Sequence, residues 1–156
     1  EKLSAVAQHY DLPPGTVELE ITETAFADIS DNERRQTIRD TLATVRSLGF
    51  LTSVDDFGSG YSSLMLLNDV PWDTLKLDRS FLEPSANTER TRIILQKIII
   101  MAKELGIQVI SEGVETEEQA MMLQSLGCTL AQGYLYAKPA PPAALEQILD
   151  EGGDMA

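Results

Sequence analysis

The chain has few of the residues from which disulfides, zinc sites and nucleic-acid interfaces are built. Its 156 residues include a single cysteine, Cys128, and a single histidine, His9. An internal disulfide is therefore excluded, and so is a zinc site made of His and Cys ligands. Asp and Glu number 25 against 12 Lys and Arg, and the net charge of -13 argues against binding to polymeric nucleic acid.

The chain also lacks a long apolar run. Its most apolar stretch, residues 98–102, is bracketed by Lys97 and Lys103, so no membrane span is expected in this segment. The lone cysteine and the absence of a signal-peptide pattern favour a cytoplasmic location, in a parent protein that could be membrane-tethered elsewhere. The first residues have helical apolar spacing without an initiator Met, which predicts a cut through a helix of a longer protein.

Short β-rich runs alternate with amphipathic helical stretches, a pattern typical of an α/β fold with a parallel sheet. Five strands are predicted, at residues 16–22, 51–55, 74–78, 108–113 and 130–134. A glycine follows each of three helical stretches, at Gly49, Gly106 and Gly127, and suits the left-handed position after a helix. This recurring helix-Gly-strand joint indicates a (β/α) barrel or a doubly wound sheet.

Three helices with start signals are predicted between the strands. The first begins at a capping box of Ser30 and Glu33, the long second one near Thr88, and the third at Thr116 and Gln119. The predicted packing faces are Ile38, Leu42 and Val45 in the first helix, and Ile94, Ile98, Met101 and Leu105 in the second. Two further apolar residues, Ile99 and Ile100, predict that the second helix is deeply buried, with a dimer interface as the alternative.

Polar residues lie at the carboxyl ends of the predicted strands. In the first strand Glu18, Glu20 and Thr22 share one face, because side chains alternate with period two. The other strands end in Asp55, Asp56, Lys76, Asp78, Glu112, Glu115 and Gln132. In parallel α/β folds the active site forms at these ends. A solvated strand end or a helix cap is the more frequent explanation for any one of them, but a shared site is favoured for the set.

Carboxylates that lie close together at one end of the sheet need protons or cations to offset their repulsion. Each close pair repels by roughly 4 kcal/mol at an effective dielectric constant near 20, so the groups must protonate or bind cations. Oxygen ligands select hard divalent ions such as Mg²⁺ or Mn²⁺. His9 has no partner at metal-ligand spacing and is expected to be structural or exposed.

The most specific segment is DDFGSGYSSL, residues 55–64. Adjacent Asp residues on a strand point to opposite faces, so Asp56 must turn inward where the strand breaks into a loop. Gly58 and Gly60 give the backbone the freedom to do so.

This segment closely resembles a loop of the EAL family of cyclic di-GMP phosphodiesterases. Four more segments resemble family motifs in the same order: ELEITET at 18–24, LKLDRSF at 75–81, SEGVETEEQ at 111–119 and GCTLAQGYLYAKP at 127–139. The resemblance implies an incomplete (β/α)8 TIM-like barrel, with about the last five β/α units in this chain. Residues 1–150 would be a partial EAL domain, truncated at its N-terminus, and 151–156 a C-terminal tail. The Glu-Ala-Leu motif itself and an Asn-bearing strand are missing and would lie upstream.

The resemblance implies hydrolysis of cyclic di-GMP to linear pGpG with two divalent ions, Mg²⁺ or Mn²⁺. It implies the metal ligands Glu20, Asp55, Asp56 and Gln132, the last through a water. It also implies the catalytic residues Lys76, Glu112 and Asp56, with Lys76 orienting the attacking water and the phosphate and Glu112 acting near the second metal or as a base. Glu23 would brace residues 55–64, the acidic loop, and Glu115 and Asp78 would support this loop or the substrate pocket.

Other interpretations concern the fragment and its class. The fragment alone is expected to be inactive, and to aggregate or pair with another copy, with a homodimer as the expected state and GGDEF or sensory domains possible in the parent. A noncatalytic EAL receptor or protein-interaction module is the rival, although intact Asp55, Asp56, Lys76 and Glu112 count against it. An unrelated metal-dependent barrel enzyme would explain the carboxylates but not five motifs in order.

Overall fold

A computed structural model of the chain describes residues 2–27, 32–59, 64–83, 85 and 88–150. The strands are β1 (Glu18–Thr22), β2 (Leu51–Phe57), β3 (Thr74–Leu77), β4 (Gln108–Ser111) and β5 (Leu130–Ala131). The helices are α1 (Lys2–His9), α2 (Thr24–Ala27), α3 (Asn32–Ser47), α4 (Leu64–Asp69), the 3-10 helix η1 (Arg79–Leu82), α5 (Glu89–Glu104), α6 (Glu117–Ser125) and α7 (Pro142–Asp150). Ser30 of the predicted capping box, residues 60–63 of the acidic loop and the tail 151–156 lie outside the described residues.

The strands form one parallel sheet in the order β1-β2-β3-β4-β5. The predicted α/β class and the five strands are therefore confirmed, with different ends. β1 begins at Glu18, because the Pro-Pro-Gly turn before it delays entry into the sheet. β2 does not break at Asp55 but continues to Phe57, with a register shift between Val54 and Phe57. β5 comprises only Leu130–Ala131.

The core lies between the sheet and the helices that cover one of its faces. Val54, Leu75 and Leu77 are fully buried on that face, and they join one apolar cluster with Leu95 of α5 and Leu123 of α6. Because side chains alternate along a strand, the residues between them point to the other face of the sheet. That face carries the polar residues of the candidate site.

The predicted helix boundaries of α5 and α6 are confirmed. Thr88 caps α5, and Thr116 and Gln119 form a capping box at the start of α6. Each of the predicted joint glycines has a positive φ, 87° at Gly49, 74° at Gly106 and 94° at Gly127. These joints turn each helix directly into the next strand.

The expected packing face of α5 is confirmed in part, since Ile98 and Met101 are half-buried and pack against the core. The fully buried side chains are instead Leu95, Ile99 and Ala102, and the prediction is wrong for Ile94 and Leu105, which are 47% and 55% exposed. Apolar residues in consecutive positions make two neighbouring faces equally apolar, so periodicity alone cannot choose between them. The expectation of a deeply buried helix is also wrong, because three isoleucines of α5 are at least 39% exposed: Ile93, Ile94 and Ile100.

Near the amino ends of β2 and β3, Asp73 joins three elements. Its carboxylate accepts hydrogen bonds from Arg46 of α3 and from the backbone amide and hydroxyl of Thr52 in β2. This half-buried network fixes α3 and β2 against the start of β3.

Among the described helices, none is long and apolar enough to cross a membrane.

Candidate metal centre

Lys76 lies at the centre of the polar face. It is the third residue of β3, and its side chain is 7% exposed. Its ammonium is 2.6 Å from Glu20 of β1, 2.7 Å from Glu112 after β4 and 3.3 Å from Asp55 of β2. Burial would lower the pKa of Lys76, but hydrogen bonds to Glu112 and Glu20 outweigh it and raise the pKa above its ordinary value. Carboxylates from β1, from β2 and from the residue after β4 thus surround one cation on β3.

Three carboxylates are close enough to share a divalent ion. One oxygen each of Asp55, Asp56 and Glu112 lies within 4.8 Å of the others. Asp55 Oδ1 is buried without a hydrogen bond, since its approach to Lys76 lacks hydrogen-bond geometry. A buried carboxylate oxygen of this kind, in an all-oxygen donor set, fits a hard cation such as Mg²⁺ or Mn²⁺.

Asp56 turns toward this group by its own backbone conformation. Its φ is 55°, in the left-handed region, and it lies inside β2 at the register shift. The expectation that the strand breaks after Asp55 is therefore wrong, whereas Gly58 has a positive φ of 100° and Gly60 lies outside the described residues. Asp tolerates this conformation better than most residues because its short side chain can bond locally. Burial, then the charges of Asp55 and Asp78, raises the pKa of Asp56.

Glu23 lies under the acidic loop. Its side chain is 3% exposed, and its Oε2 accepts a hydrogen bond of 2.9 Å from the backbone amide of Gly58. Its own amide donates to the carbonyl of Asp55. Glu23 therefore contacts the backbone on both sides of Asp56, where the predicted bracing role would place it.

The remaining predicted residues lie at the same end of the sheet but outside the group of three carboxylates. Asp78 accepts a hydrogen bond from the amide of Ser80 and caps η1. Glu115 and Gln132 are exposed, and no side-chain contact among the described residues joins either to Lys76. Their predicted roles in substrate support and in the metal shell stay predictions. His9 is exposed, as expected.

The family follows from comparison with known sequences. A family model described as EAL domain matches residues 1–139. The chain belongs to the EAL domain family. The five ordered motifs lie within the matched residues, and the resemblance to the EAL family is confirmed.

Relatives of this EAL domain chain have names that state an activity. The chain is 38% identical over 141 residues to cyclic di-GMP phosphodiesterase RocR of Pseudomonas aeruginosa, which covers 90% of the chain and 35% of RocR. It is 47% identical over 133 residues to cyclic di-GMP phosphodiesterase NbdA of the same species, covering 85% of the chain and 16% of NbdA. The chain thus spans about a third or less of the length of these relatives.

Solved structures agree with the fold. The EAL domain of Mycobacterium smegmatis DcpA matches with a TM-score of 0.86 at 37% identity, covering 96% of the chain and 65% of that domain structure. Klebsiella pneumoniae BlrP1, in a complex with manganese and cyclic di-GMP, matches with a TM-score of 0.80 at 33% identity, covering 89% of the chain and 34% of BlrP1. The predicted EAL-type barrel architecture, of which this chain forms a part, is therefore confirmed.

Sequence reasoning missed two side chains near the centre. Phe81 of η1 contacts Gly58, and Gln119, predicted only as a capping residue, also donates a hydrogen bond to the carbonyl of Leu82. The aromatic residue within LKLDRSF, at the end of a strand, was the available signal for the first. No sequence signal indicates the second.

Proposed function

We propose that the complete EAL domain containing these residues hydrolyses cyclic di-GMP to linear pGpG with two divalent ions. The observation that carries the proposal is the convergence of Asp55, Asp56 and Glu112 within 4.8 Å, beside the Lys76 ammonium. The names of RocR and NbdA and the BlrP1 complex support the same substrate and metal chemistry.

The carboxylates of this chain would hold the ions. Asp55 and Asp56 offer oxygens from one strand and Glu112 from a second, and Glu20 lies next to Lys76 on a third. Gln132 would add a ligand through water from the end of β5. The ions held there would supply a water of lowered pKa as nucleophile and positive charge for the phosphate oxygens.

Lys76 would orient the phosphate. Its ammonium donates hydrogen bonds to Glu20 and Glu112, which fix its direction on the face where the substrate would lie. A positive charge held there attracts the negative oxygens of a phosphodiester in a region otherwise rich in carboxylates. Glu112, whose carboxylate lies 2.7 Å from the Lys76 ammonium, would receive a proton from the attacking water.

The rival function is a noncatalytic receptor that binds cyclic di-GMP without cleaving it. The complete carboxylate group with Lys76 favours the enzyme, because binding alone does not require these residues together. The test is incubation of cyclic di-GMP and Mn²⁺ with the complete domain, followed by ion-exchange separation of the products. Formation of pGpG that EDTA abolishes is expected. Cyclic di-GMP bound but recovered intact would support the receptor instead.

We also propose that residues 1–156 alone have little activity. Glu20 of β1 is half exposed at 51% and lies at the sheet edge. Upstream strands of an EAL domain would cover this edge and add ligands to the site. The same pGpG assay on the isolated chain tests this proposal, and turnover equal to that of the complete domain would contradict it.

A further inference from the structure

The 3-10 helix η1 lies between two segments that carry the three carboxylates, residues 55–59 at the end of β2 and residues 112–116 after β4. We call them the first and the second loop. It follows β3 through Asp78, whose backbone amide donates to the carbonyl of Phe57 at the end of β2. On the other side, the amide of Glu112 donates to the carbonyl of Leu77, the last residue of β3. None of the four residues of η1 belongs to the predicted site, yet both ligand-bearing segments flank it.

The Phe81 ring packs directly on the backbone of the first loop. A Cβ built on Gly58 would lie 2.2 Å from Cε2 of Phe81 and 2.5 Å from Cζ, so a side chain and the ring could not coexist there. Gly58 has a φ of 100° and also donates its amide to Glu23. Gly58 is thus held between the carboxylate of Glu23 and the ring of Phe81, two residues after Asp56.

The first residue of η1 packs in the same way on the second loop. A Cβ built on Gly113 would lie 2.5 Å from Cβ of Arg79, and Gly113 has a φ of 68°. Gly113 directly follows Glu112. The distance between the two loops is therefore set by the η1 backbone, which carries Arg79 at one end and Phe81 two residues later.

Gln119 anchors the carboxyl end of η1. Its Nε2 donates a hydrogen bond of 3.1 Å to the carbonyl of Leu82, and its Oε1 accepts from the amides of Glu115 and Thr116. One amide side chain thus joins η1 to the second loop and to the start of α6. The bond to Leu82 is partly buried, whereas the two bonds to Glu115 and Thr116 are exposed.

We propose that Phe81 is a positioning residue that holds the first loop against η1 through its contact with Gly58. Because Arg79 of the same helix packs on Gly113 in the second loop, η1 then sets the spacing of the Asp56 and Glu112 carboxylates, with Gln119 as its anchor. The inference rests on the proposed function for its metal affinity, but the rigidity of the two loops does not depend on a bound metal.

The test compares Phe81→Ala, Phe81→Tyr and Gln119→Leu in the full protein that contains these residues, with Leu42→Ala as a control in the α3 core. Mass-spectrometric hydrogen exchange without metal reports on segments 55–59 and 112–116, and electron paramagnetic resonance of free Mn²⁺ gives the metal dissociation constant. Partners that orient metal ligands typically contribute about 10-fold to 100-fold in affinity.

Phe81→Ala is expected to speed exchange in both segments and to weaken Mn²⁺ binding roughly ten-fold. Gln119→Leu should speed exchange mainly in segment 112–116. Phe81→Tyr should keep the wild-type exchange rates and Mn²⁺ affinity, and Leu42→Ala should change exchange in neither segment. Wild-type exchange in both segments of Phe81→Ala, or unchanged Mn²⁺ binding in that variant, would overturn the inference. Absence of Mn²⁺ binding in the wild type would instead overturn the proposed metal site, while exchange would still decide the rigidity of the loops.

Discussion

Lys76 allows three carboxylates to lie close together without a bound metal. Glu20, Asp55 and Glu112 would repel each other, and the ammonium in their midst replaces that repulsion with attraction. Since Lys76 is nearly buried and held by hydrogen bonds, it also fixes the direction of the carboxylates before any ion arrives. The proposed reaction therefore predicts that metal binding changes the directions of these carboxylates little.

Replacing Lys76 by Met should destabilise the metal-free protein by about 2 kcal/mol, less than for a fully buried pair because Glu20 is half exposed. Added Mn²⁺ should stabilise the variant more than the wild type, because the ion takes over the missing charge. Thermal unfolding with EDTA and with Mn²⁺ measures both effects. The exposed Lys97→Met on α5 is the control. Equal stability of Lys76→Met and wild type in EDTA would contradict this account.

Asp56 predicts a pH dependence of stability. Its pKa is raised in the folded state, so the folded protein binds the Asp56 proton more tightly than the unfolded chain does. The protonated carboxyl therefore contributes to the free energy of unfolding at low pH, and this contribution is lost as pH rises through the raised pKa. Asp56→Asn stays neutral and should raise the free energy of unfolding at neutral pH by about 0.5 kcal/mol without metal. Below the ordinary value of 3.8 the difference should vanish.

Urea unfolding in EDTA at several pH values measures this difference. The exposed Asp40→Asn on α3 serves as a control, because it removes the same charge away from the acidic group. If Asp56→Asn were less stable than wild type at neutral pH, the folded protein would favour the Asp56 carboxylate, which is the opposite of the predicted effect.

At the residue scale, the sequence predicts the identity of the site better than its geometry. Because side chains alternate along a strand, the sequence places Glu20 on the same face of the sheet as Lys76, as observed. The motifs also place Asp55 and Glu112 at the same end of the sheet, where the structure shows them close together. The left-handed conformation of Asp56 could not be predicted, since it depends on the register of β2 against β3. Backbone strain of this kind is set by tertiary pairing and leaves no local pattern.

At the scale of elements, short-range signals predict helix ends, and long-range packing decides helix faces. The capping box at Thr116 and Gln119 acts within four residues, so the sequence reveals it. The buried face of α5 depends on how the helix rests on the sheet, and the run of isoleucines at 98–100 fits two orientations. The same limit applies to η1, whose contacts come from loops distant in sequence.

The network around Asp73 predicts an element-scale effect. Asp73→Ala would leave the amide and hydroxyl of Thr52 and the guanidinium of Arg46 without their shared acceptor. The expected loss is about 2 kcal/mol in the free energy of unfolding, because unsatisfied half-buried donors retain their desolvation cost. Denaturant unfolding measures it, with the exposed Glu104→Ala on α5 as the control. A loss no larger than in the control would mean that the network carries little stability.

At the scale of the whole molecule, the five-stranded sheet has two edge strands, β1 and β5, among the described residues. Apolar side chains are exposed near both ends of the chain and on α5, with exposed fractions of 53% at Leu3, 50% at Ile93 and 54% at Leu145. Unpaired strand edges and apolar surface favour association with another chain or another segment. The interpretation of the chain as part of a larger EAL domain predicts such a surface.

The isolated 156-residue chain should therefore self-associate. Sedimentation velocity from about 1 to 100 µM is expected to show a concentration-dependent increase in mass, since such surfaces associate in the µM to mM range. The double variant Ile93→Glu and Ile100→Glu should reduce this association if α5 forms the dimer interface, which was the alternative to a deeply buried helix. A single monomeric species at every concentration would contradict the expectation for the chain.

The central claim is that carboxylates from successive parallel strands bind divalent ions to cleave a phosphodiester. Its most direct test is Mn²⁺-dependent turnover of cyclic di-GMP by the complete domain, compared between wild type, Asp55→Asn and the exposed control Asp40→Asn. Asp55 lies in both the group of three carboxylates and the contact with Lys76. A loss of turnover of roughly 100-fold or more in Asp55→Asn, with Asp40→Asn unchanged, is the predicted result. Wild-type turnover by Asp55→Asn would contradict the claim.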